Sequence, residues 1–300
     1  MTMRRVSGVL AALTSVVLAA GCATGAESSS TQSPAEDQSL GTIVVGSQAY
    51  YSNEIVAEIY AQVLEEAGFE VERRFQIGQR DLYIPALEAG EVDLFPEYTG
   101  NLLQFYAPDA SATQPDAVYE ELVKVLPEQL TALAMSPATD QDSYNVTREF
   151  AAEFGLVSIA DLASLEGPVI LGGAPELEER PYGPSGLLEL YGLEVDFLAT
   201  GATTLDSLLA GEVDVANIYT GDPAIAQYDL VTLEDPEGLF LASHLVPIAR
   251  TDLAATIAPL INPVSEAMTA QMLVQMNLQS TSDQRSAADI AAEWRAANGF

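Results

Sequence analysis

The stretch AGEVDLFPEYTG, from Ala89 to Gly100, returns as AGEVDVANIYTG from Ala210 to Gly221. Eight of the twelve positions are identical, including the closing Tyr-Thr-Gly. Each copy follows a segment with helical spacing, turns at a Gly and continues as a short apolar run. We interpret each copy as a helix end, a Gly turn and a buried strand that delivers a Tyr at its carboxyl end. A chance likeness between two αβ units is the alternative interpretation.

The segments around both copies alternate between strand and helix patterns. GTIVVGS (41–47) predicts a buried strand, and SNEIVAEIYAQVLEEAGF (52–69) predicts a helix that Ser52 or Asn53 caps. GPVILGG, GPSGLLELYG and EVDFLAT repeat the alternation before the second copy. The pattern predicts an α/β fold with two lobes, each a mostly parallel sheet flanked by helices. Because ligands bind beyond the carboxyl ends of such strands, we expect the ligand cleft between the lobes.

The chain is strongly acidic. Its 44 acidic residues against 11 basic ones give a formal net charge of −33, beside 48% hydrophobic residues. Such a surface repels nucleic acid and anionic lipid headgroups, so neither is an expected partner. Evenly spread carboxylates are typical of a protein kept soluble in high salt, and equally of a composition bias in the source organism. One Cys and one His exclude an internal disulfide and a Cys/His metal cluster, and we expect no cofactor.

The first forty residues have the pattern of a targeting segment. A basic start, an apolar run and small residues before Cys22 predict a signal peptide over residues 1–21. LAAGC resembles a bacterial lipobox, in which Cys22 is lipidated; an ordinary signal peptide with an incidental cysteine is the alternative. Residues 22–40 are rich in Ser, Thr, Ala and acids and predict a flexible tether. We expect an extracytoplasmic protein, held at the outer face of the cell membrane by its lipid alone.

Two segments of the sequence are suited to carry the chain between the lobes. One is SPATDQDSY (136–144), which is rich in Pro and acids, and the other surrounds residues 243–247. They place lobe 1 at residues 41–138 plus 244–300 and lobe 2 at residues 139–243. The tail of the chain has helical spacing, and we expect it to pack back on lobe 1.

Longer motifs resemble one protein family. VGSQAYYSNEIVAEIYAQVLEEAGFEVE, ALEAGEVDLFPEYTGN, DSYNVTREFAAEFGLVSIADLA and GEVDVANIYTGD are similar to the substrate-binding proteins of osmoprotectant ABC importers. These importers take up glycine betaine, choline, carnitine and related compounds. The resemblance covers about Thr42 to Phe300, and PEYTG is its most specific part. It implies a two-lobed periplasmic-binding-protein fold of the class II type, and a partner in the permease subunits of the importer.

The resemblance also implies a site for a quaternary ammonium ligand. Such a cation has no N–H to donate and is bound by the negative faces of aromatic rings. The family places rings at positions that match Tyr98, Tyr144 and Tyr219. The polar family positions that carry over to this chain are Gln48, Asp81, Asn101 and Asp142. For Asp142 a loop-capping role is the alternative.

The sequence departs from the family pattern at a fourth aromatic position. In FLASHLVPIA, Ser243 occupies the aligned place and His244 is its neighbour. Either three tyrosines alone form the aromatic cage around the cation, or His244 completes that cage. In the second case ligand binding responds to pH at about 6.5. A purely structural His at the crossover is a third possibility. Leu177 and Gly183 replace two cysteines of one family branch, so the disulfide of that branch is missing. Arg180 remains to pair with a ligand carboxylate or with a neighbouring Glu.

These observations indicate a lipid-anchored solute-binding protein of an ABC importer that is not an enzyme. Three alternatives stay open. The same fold can bind another zwitterion or amine, such as ergothioneine; the chain can be a surface lipoprotein adaptor without a small ligand; or it can be a surface hydrolase with paired carboxylates, although no motif sets two acids opposite each other. Stabilisation by a ligand separates a receptor from an adaptor.

Overall fold

The structure is a computed structural model that describes residues 40–300. The predicted signal peptide, Cys22 and the predicted tether up to residue 39 lie outside the described residues. The strands are β1 (Thr42–Gly46), β2 (Glu70–Arg74), β3 (Leu94–Tyr98), β4 (Leu130–Ala132), β5 (Tyr144–Val146), β6 (Val169–Gly173), β7 (Val195–Ala199), β8 (Val215–Asn217), β9 (Val231–Thr232) and β10 (Leu245–Arg250).

The helices alternate with these strands along the chain. The α-helices are α1 (Tyr51–Glu66), α2 (Arg80–Glu88), α3 (Thr99–Tyr106), α4 (Pro115–Val125), α5 (Arg148–Phe154), α6 (Pro184–Tyr191), α7 (Thr204–Leu209), α8 (Ala224–Gln227), α9 (Thr251–Ala267), α10 (Ala270–Thr281) and α11 (Ala287–Asn298). Short 3₁₀ helices lie at Ile159–Ser164, Pro175–Glu179 and Gly201–Thr203. From residue 40 onward, no helix combines the length and the apolar character that a bilayer crossing requires.

The strands form two separate five-stranded sheets, one in each lobe. Their orders are β2-β1-β3-β10-β4 and β7-β6-β8-β5-β9. In each sheet the first three strands are parallel, and the other pairings are antiparallel. The prediction of a two-lobed α/β fold is confirmed, and the sheets are mixed. The reason is that β5 and β10 each begin directly at a crossover between the lobes, so they run away from the cleft while their parallel neighbours run toward it.

The repeated AGEVD stretch builds the same turn in both lobes. Gly90 and Gly211 both have φ of 70°, a conformation that favours Gly over residues with a Cβ. The Asp93 carboxylate then accepts the N–H of Val44 in β1 at 2.8 Å. The Asp214 carboxylate accepts the corresponding N–H from β6 at the same distance of 2.8 Å. Each Asp thus ties the strand that follows the turn to its parallel neighbour.

The Thr of each Tyr-Thr-Gly forms hydrogen bonds to a crossover segment through its backbone N–H and its hydroxyl. Thr99 donates its N–H to the His244 carbonyl at 2.9 Å, and its Oγ1 accepts the His244 N–H at 3.0 Å. Thr220 does the same to Gln141 on the other crossover, at 2.9 Å and 3.1 Å. The two crossovers also pair with each other through a β-bridge between Thr139 and His244.

The Gly of each Tyr-Thr-Gly leaves room for a crossover segment. A Cβ on Gly100 would lie 2.8 Å from the carbonyl oxygen of Ala242. A Cβ on Gly221 would lie 2.6 Å from Oδ1 of Asp140. Since real Cβ atoms do not approach oxygen so closely, both positions require Gly for packing rather than for backbone conformation.

The tail of the chain packs on lobe 1, as the helical spacing predicts. Helices α9, α10 and α11 contribute to the same apolar core as α1 and β1. Trp294 of α11 is 6% exposed and stacks on Phe300 with ring centroids 5.5 Å apart. Lobe 2 has its own core around β5, β6 and α6.

Helix α1 begins one residue before the predicted caps. Ser52 and Asn53 lie inside it and are fully buried, and its N-terminus has no side-chain cap. The Asn53 amide is used elsewhere: its Oδ1 accepts the N–H of Gln48 at 3.0 Å, and its Nδ2 donates to the carbonyl of Pro96 at 2.7 Å. Asn53 therefore joins the loop after β1 to β3, just before Tyr98.

Candidate ligand-binding site

A narrow cavity lies between the lobes, beside the crossover segments. Its walls come from the loop after β1, the start of α2, the end of β3, the start of α3, the first crossover and the loop after β8. The residues that line it are Gln48, Tyr50, Arg80, Tyr98, Asn101, Asp140 and Tyr219. This is the position beyond the carboxyl ends of strands at which open α/β sheets bind ligands. Two larger surface hollows, one on each lobe, contain no predicted site residue, whereas a third, of about 410 Å³, adjoins the cavity and includes Gln48 and Tyr219.

Aromatic rings from both lobes wall the cavity. Tyr98 comes from lobe 1 and Tyr219 from lobe 2, and Tyr50 from lobe 1 joins them. The rings of Tyr50 and Tyr219 are 5.1 Å apart and tilted by 45°, so they form a corner across the cleft. The hydroxyls of Tyr50 and Tyr98 are buried with no hydrogen-bond partner among residues 40–300. Burial raises the pKa of both phenols well above its ordinary value, so both stay protonated.

A buried ion pair forms one side of the cavity. Glu97 accepts two hydrogen bonds from Arg80, from Nε at 2.8 Å and from Nη2 at 2.9 Å. It also accepts the hydroxyl of Tyr83 at 2.5 Å and the N–H of Tyr98 at 2.6 Å. Burial works against the charge of Arg80, but Glu97 outweighs it and holds the arginine pKa well above its ordinary value. Arg80 therefore presents a permanent, oriented guanidinium to the cavity.

A hydrogen-bond chain spans the cleft beside the rings. Ser243 donates to Oδ1 of Asn101 at 2.6 Å, which fixes the orientation of that amide. Asn101 Nδ2 then donates to Oδ2 of Asp142 at 2.6 Å and to the hydroxyl of Tyr182 at 3.2 Å. Burial raises the pKa of Asp142, while Asn101 lowers it in part. The chain of hydrogen bonds links lobe 1 to lobe 2 across the cleft.

Asp140 is a second buried carboxylate at the cavity, on the first crossover. It is 2% exposed, and its Oδ1 accepts the N–H of Gly221 at 2.8 Å. Its Oδ2 has no partner at hydrogen-bond geometry in the described part of the chain, and the hydroxyls of Ser52 and Tyr50 near it are unpartnered in the same way. Burial raises the pKa of Asp140 to about 7, although the Gly221 N–H and these two hydroxyls lower it in part.

Five of the predicted site residues are not among those that line the cavity. Asp142 lines an adjoining hollow, and Ser243 is connected to the cavity through its hydrogen bond to Asn101. The other three lie elsewhere. Tyr144 is fully buried in the lobe 2 core, where its hydroxyl donates to the carbonyl of Tyr182 at 2.5 Å. Asp81 is exposed at the rim of the cleft, 3.6 Å from Nη2 of Arg180. His244 lies on the second crossover, and its Nδ1 is 2.9 Å from the carbonyl oxygen of Ser136.

Sequence reasoning missed three residues that line the cavity: Tyr50, Arg80 and Asp140. Tyr50 stands within QAYYSN, and a Tyr immediately before a helix that starts at a cleft is a usable signal. Arg80 is adjacent to the predicted Asp81, and only the phase of α2 shows which of the two points inward. Asp140 lies in a segment without periodicity, so no pattern marks it.

Comparisons with known proteins show the family of this chain. Residues 41–297 match the family described as the substrate-binding domain of the ABC-type glycine betaine transport system. The glycine betaine-binding protein YehZ of Escherichia coli K12 is 26% identical over 282 residues, which are 88% of this chain and 92% of that protein.

Two further relatives extend the comparison. The ergothioneine transport permease/ergothioneine binding protein EgtU of Helicobacter pylori G27 is 25% identical over 203 residues, 66% of this chain and 36% of that protein. A solved structure of a glycine betaine/carnitine/choline ABC transporter has a TM-score of 0.71 at 19% identity. The match covers 86% of this chain and 98% of that one, which shows the two-lobed periplasmic-binding-protein fold. The chain belongs to the family of substrate-binding domains of ABC-type glycine betaine transport systems.

Proposed function

We propose that this chain is the extracytoplasmic binding protein of an ABC importer and that it binds a small quaternary-ammonium osmoprotectant, such as glycine betaine or choline, in the cavity between the lobes. The observation that carries the proposal is the set of rings from both lobes, Tyr50, Tyr98 and Tyr219, around one cavity. A quaternary ammonium is held by such faces because it has no N–H to donate. Membership of the family and the similarity to a glycine betaine-binding protein support the same ligand class.

The polar groups of the cavity suit the other end of such a ligand. Arg80 keeps a third nitrogen, Nη1, that forms no hydrogen bond within the described chain. This group, with Gln48, can donate to a ligand carboxylate or hydroxyl. Because the rings are divided between the lobes, the ligand binds the closed form best and shifts the population toward it. The closed form is then the one delivered to the permease.

We assign the predicted anchor to Cys22. Support comes from the sequence alone, through the charged start, the apolar run and LAAGC. A lipid anchor would keep the binding protein beside its permease, which raises the local concentration for delivery.

Ergothioneine is the second candidate ligand. It combines a trimethylammonium, a carboxylate and a further ring, and EgtU is 25% identical over two thirds of this chain. A hollow of about 410 Å³ adjoins the cavity and shares Gln48, Tyr50 and Tyr219 with it. This hollow offers space for a ring beyond the quaternary ammonium.

Calorimetric titration of choline, glycine betaine and ergothioneine tests the proposal. Tyr98→Ala and Tyr219→Ala should each weaken the best ligand by about 5- to 30-fold, since a desolvated cation–π contact contributes about 1–2 kcal/mol. Phe at either position keeps the ring face and should cost much less. Tyr106→Ala, which removes a ring outside the cavity, is the matched control. Unchanged ligand affinity in both folded alanine variants would refute the proposal that these rings bind the cation.

The same samples address the absence of catalysis. We propose that the ligand is bound and released unchanged, in keeping with a family of binding domains. Proton NMR of the ligand after long incubation with the protein should show the starting compound alone. Any new ligand resonance that grows with protein concentration would contradict this.

A further inference from the structure

Asp140 is a buried carboxylate that lines the cavity, and only one of its two oxygens is used to hold the fold together. It lies on the first crossover and is almost fully buried. One carboxylate oxygen is tied to lobe 2 through the N–H of Gly221 at 2.8 Å. The other oxygen has no partner at hydrogen-bond geometry within residues 40–300, although the nearby hydroxyls of Ser52 and Tyr50 act on this carboxylate. A buried carboxylate oxygen without a partner is costly, so a ligand group is the natural partner for it.

The surroundings of Asp140 contain no compensating cation. No Lys, Arg or His of the described chain forms an ion pair with it. Arg80 lines the same cavity but is committed to Glu97 through two hydrogen bonds. The titratable and polar groups that face Asp140 from the elements around it are Tyr50, Tyr51 and Ser52 at the start of α1, Tyr98 at the end of β3, and Tyr219, Gly221 and Asp222 after β8.

These groups form an anionic end of the cavity that is lined with rings. Phenol hydroxyls and ring faces favour a cation, and the Asp222 carboxyl adds negative charge rather than cancelling it. A cationic nitrogen placed here would interact with Asp140 in a site shielded from water, where the interaction is screened little.

We propose that Asp140 contacts the cationic nitrogen of the ligand and sets the charge selectivity of the site, so that ligands with a net positive charge bind better than zwitterions of similar size. The inference rests on the proposed function and goes beyond it by naming the discriminating residue and the preferred charge. Choline carries one positive charge and no negative one. Glycine betaine adds a carboxylate, which Asp140 repels but which Arg80 can hold, so its affinity depends less on Asp140 than that of choline does.

The proton on Asp140 gives the proposal a second, independent readout. Burial raises the pKa of Asp140 to about 7, so near neutral pH the ligand-free carboxyl is close to half protonated. A cation favours the charged form, and its binding must release the proton. Choline affinity should therefore rise with pH up to about 7 and level off above it. Below that pH it should fall by up to about tenfold per pH unit.

The experiment compares wild type with Asp140→Asn by calorimetric titration of choline and of glycine betaine at pH 6 and pH 8. At pH 8 the substitution should weaken choline by roughly 10- to 100-fold and change glycine betaine by no more than about threefold. The pH dependence of choline binding should disappear in Asp140→Asn. Asp93→Asn is the matched control, because Asp93 is a buried carboxylate of lobe 1 that pairs with Arg250 outside the cavity.

The possible outcomes separate this inference from the proposed function. Equal losses for both ligands, or a choline affinity that does not change between pH 6 and pH 8 in wild type, would overturn the role of Asp140 and leave the proposed function standing. Wild type that binds neither choline nor glycine betaine would overturn both. The wild-type pH comparison needs no substitution, so it decides the matter even if Asp140→Asn fails to fold.

Discussion

The buried pair of Glu97 and Arg80 should dominate the stability of lobe 1. Glu97→Gln removes the countercharge of Arg80 with little change in shape. The Glu97 side chain is 0% exposed and that of Arg80 is 10% exposed, so water cannot replace the lost charge. Glu97 also accepts the Tyr83 hydroxyl and the Tyr98 N–H, and the amide can accept through one oxygen only.

The expected loss is large because one partner of a buried pair is removed while the other stays. Such changes cost about 3–5 kcal/mol. At roughly 2–4 °C per kcal/mol for a domain of this size, the melting temperature should fall by about 6–20 °C. Replacing both partners, as Arg80→Met with Glu97→Leu, should recover part of the loss, since well-packed apolar residues can substitute for a buried pair.

Thermal unfolding followed by circular dichroism, without ligand, measures these effects. Glu65→Gln is the matched control, because Glu65 pairs with Arg73 but its side chain is 42% exposed. An exposed pair of this kind contributes about 0–1 kcal/mol. A Glu97→Gln protein that melts within about 2 °C of wild type would refute the reasoning. A double variant less stable than Glu97→Gln would show that the pair is not what the substitution breaks.

Three further outcomes are expected. Cys22→Ala should move the protein from the membrane fraction to the soluble fraction of cells, and a variant that stays with the membrane would contradict lipidation. Gly221→Ala should lower stability by about 1–3 kcal/mol, because the added Cβ would lie 2.6 Å from Asp140; chemical denaturation measures the change. Asn101→Ala removes hydrogen bonds across the cleft, so small-angle scattering should show a larger radius of gyration than wild type, and saturating ligand should reverse the difference.

Local sequence patterns were sufficient to predict the two lobes. The AGEVD copies mark their turns because a Gly with φ of 70° and an Asp that binds a neighbouring strand both leave a signature in the sequence. The direction of β5 and β10 was not predictable in this way. It depends on where the chain crosses between lobes, which is a property of the whole topology rather than of any short segment.

The candidate site was most predictable near the carboxyl ends of strands. Tyr98 ends β3 and Tyr219 follows β8 by two residues, and the structure places both at the cavity. Tyr144 begins a strand that leaves the cleft, and its ring turns into the lobe 2 core. Arg80 and Asp140 depend on contacts between segments far apart in sequence, and periodicity carries no information about such contacts.

In each Tyr-Thr-Gly triplet the Tyr lines the cavity and the adjacent Thr binds a crossover segment. A substitution at Tyr98 or Tyr219 therefore changes the immediate chain neighbour of a residue that holds a crossover segment. We expect such substitutions to alter ligand specificity and the ease of lobe opening together. An engineer who wants a fluorescent biosensor from this scaffold should vary Tyr50, which lines the cavity without holding a crossover segment or the buried Arg80–Glu97 pair, and leave both triplets intact.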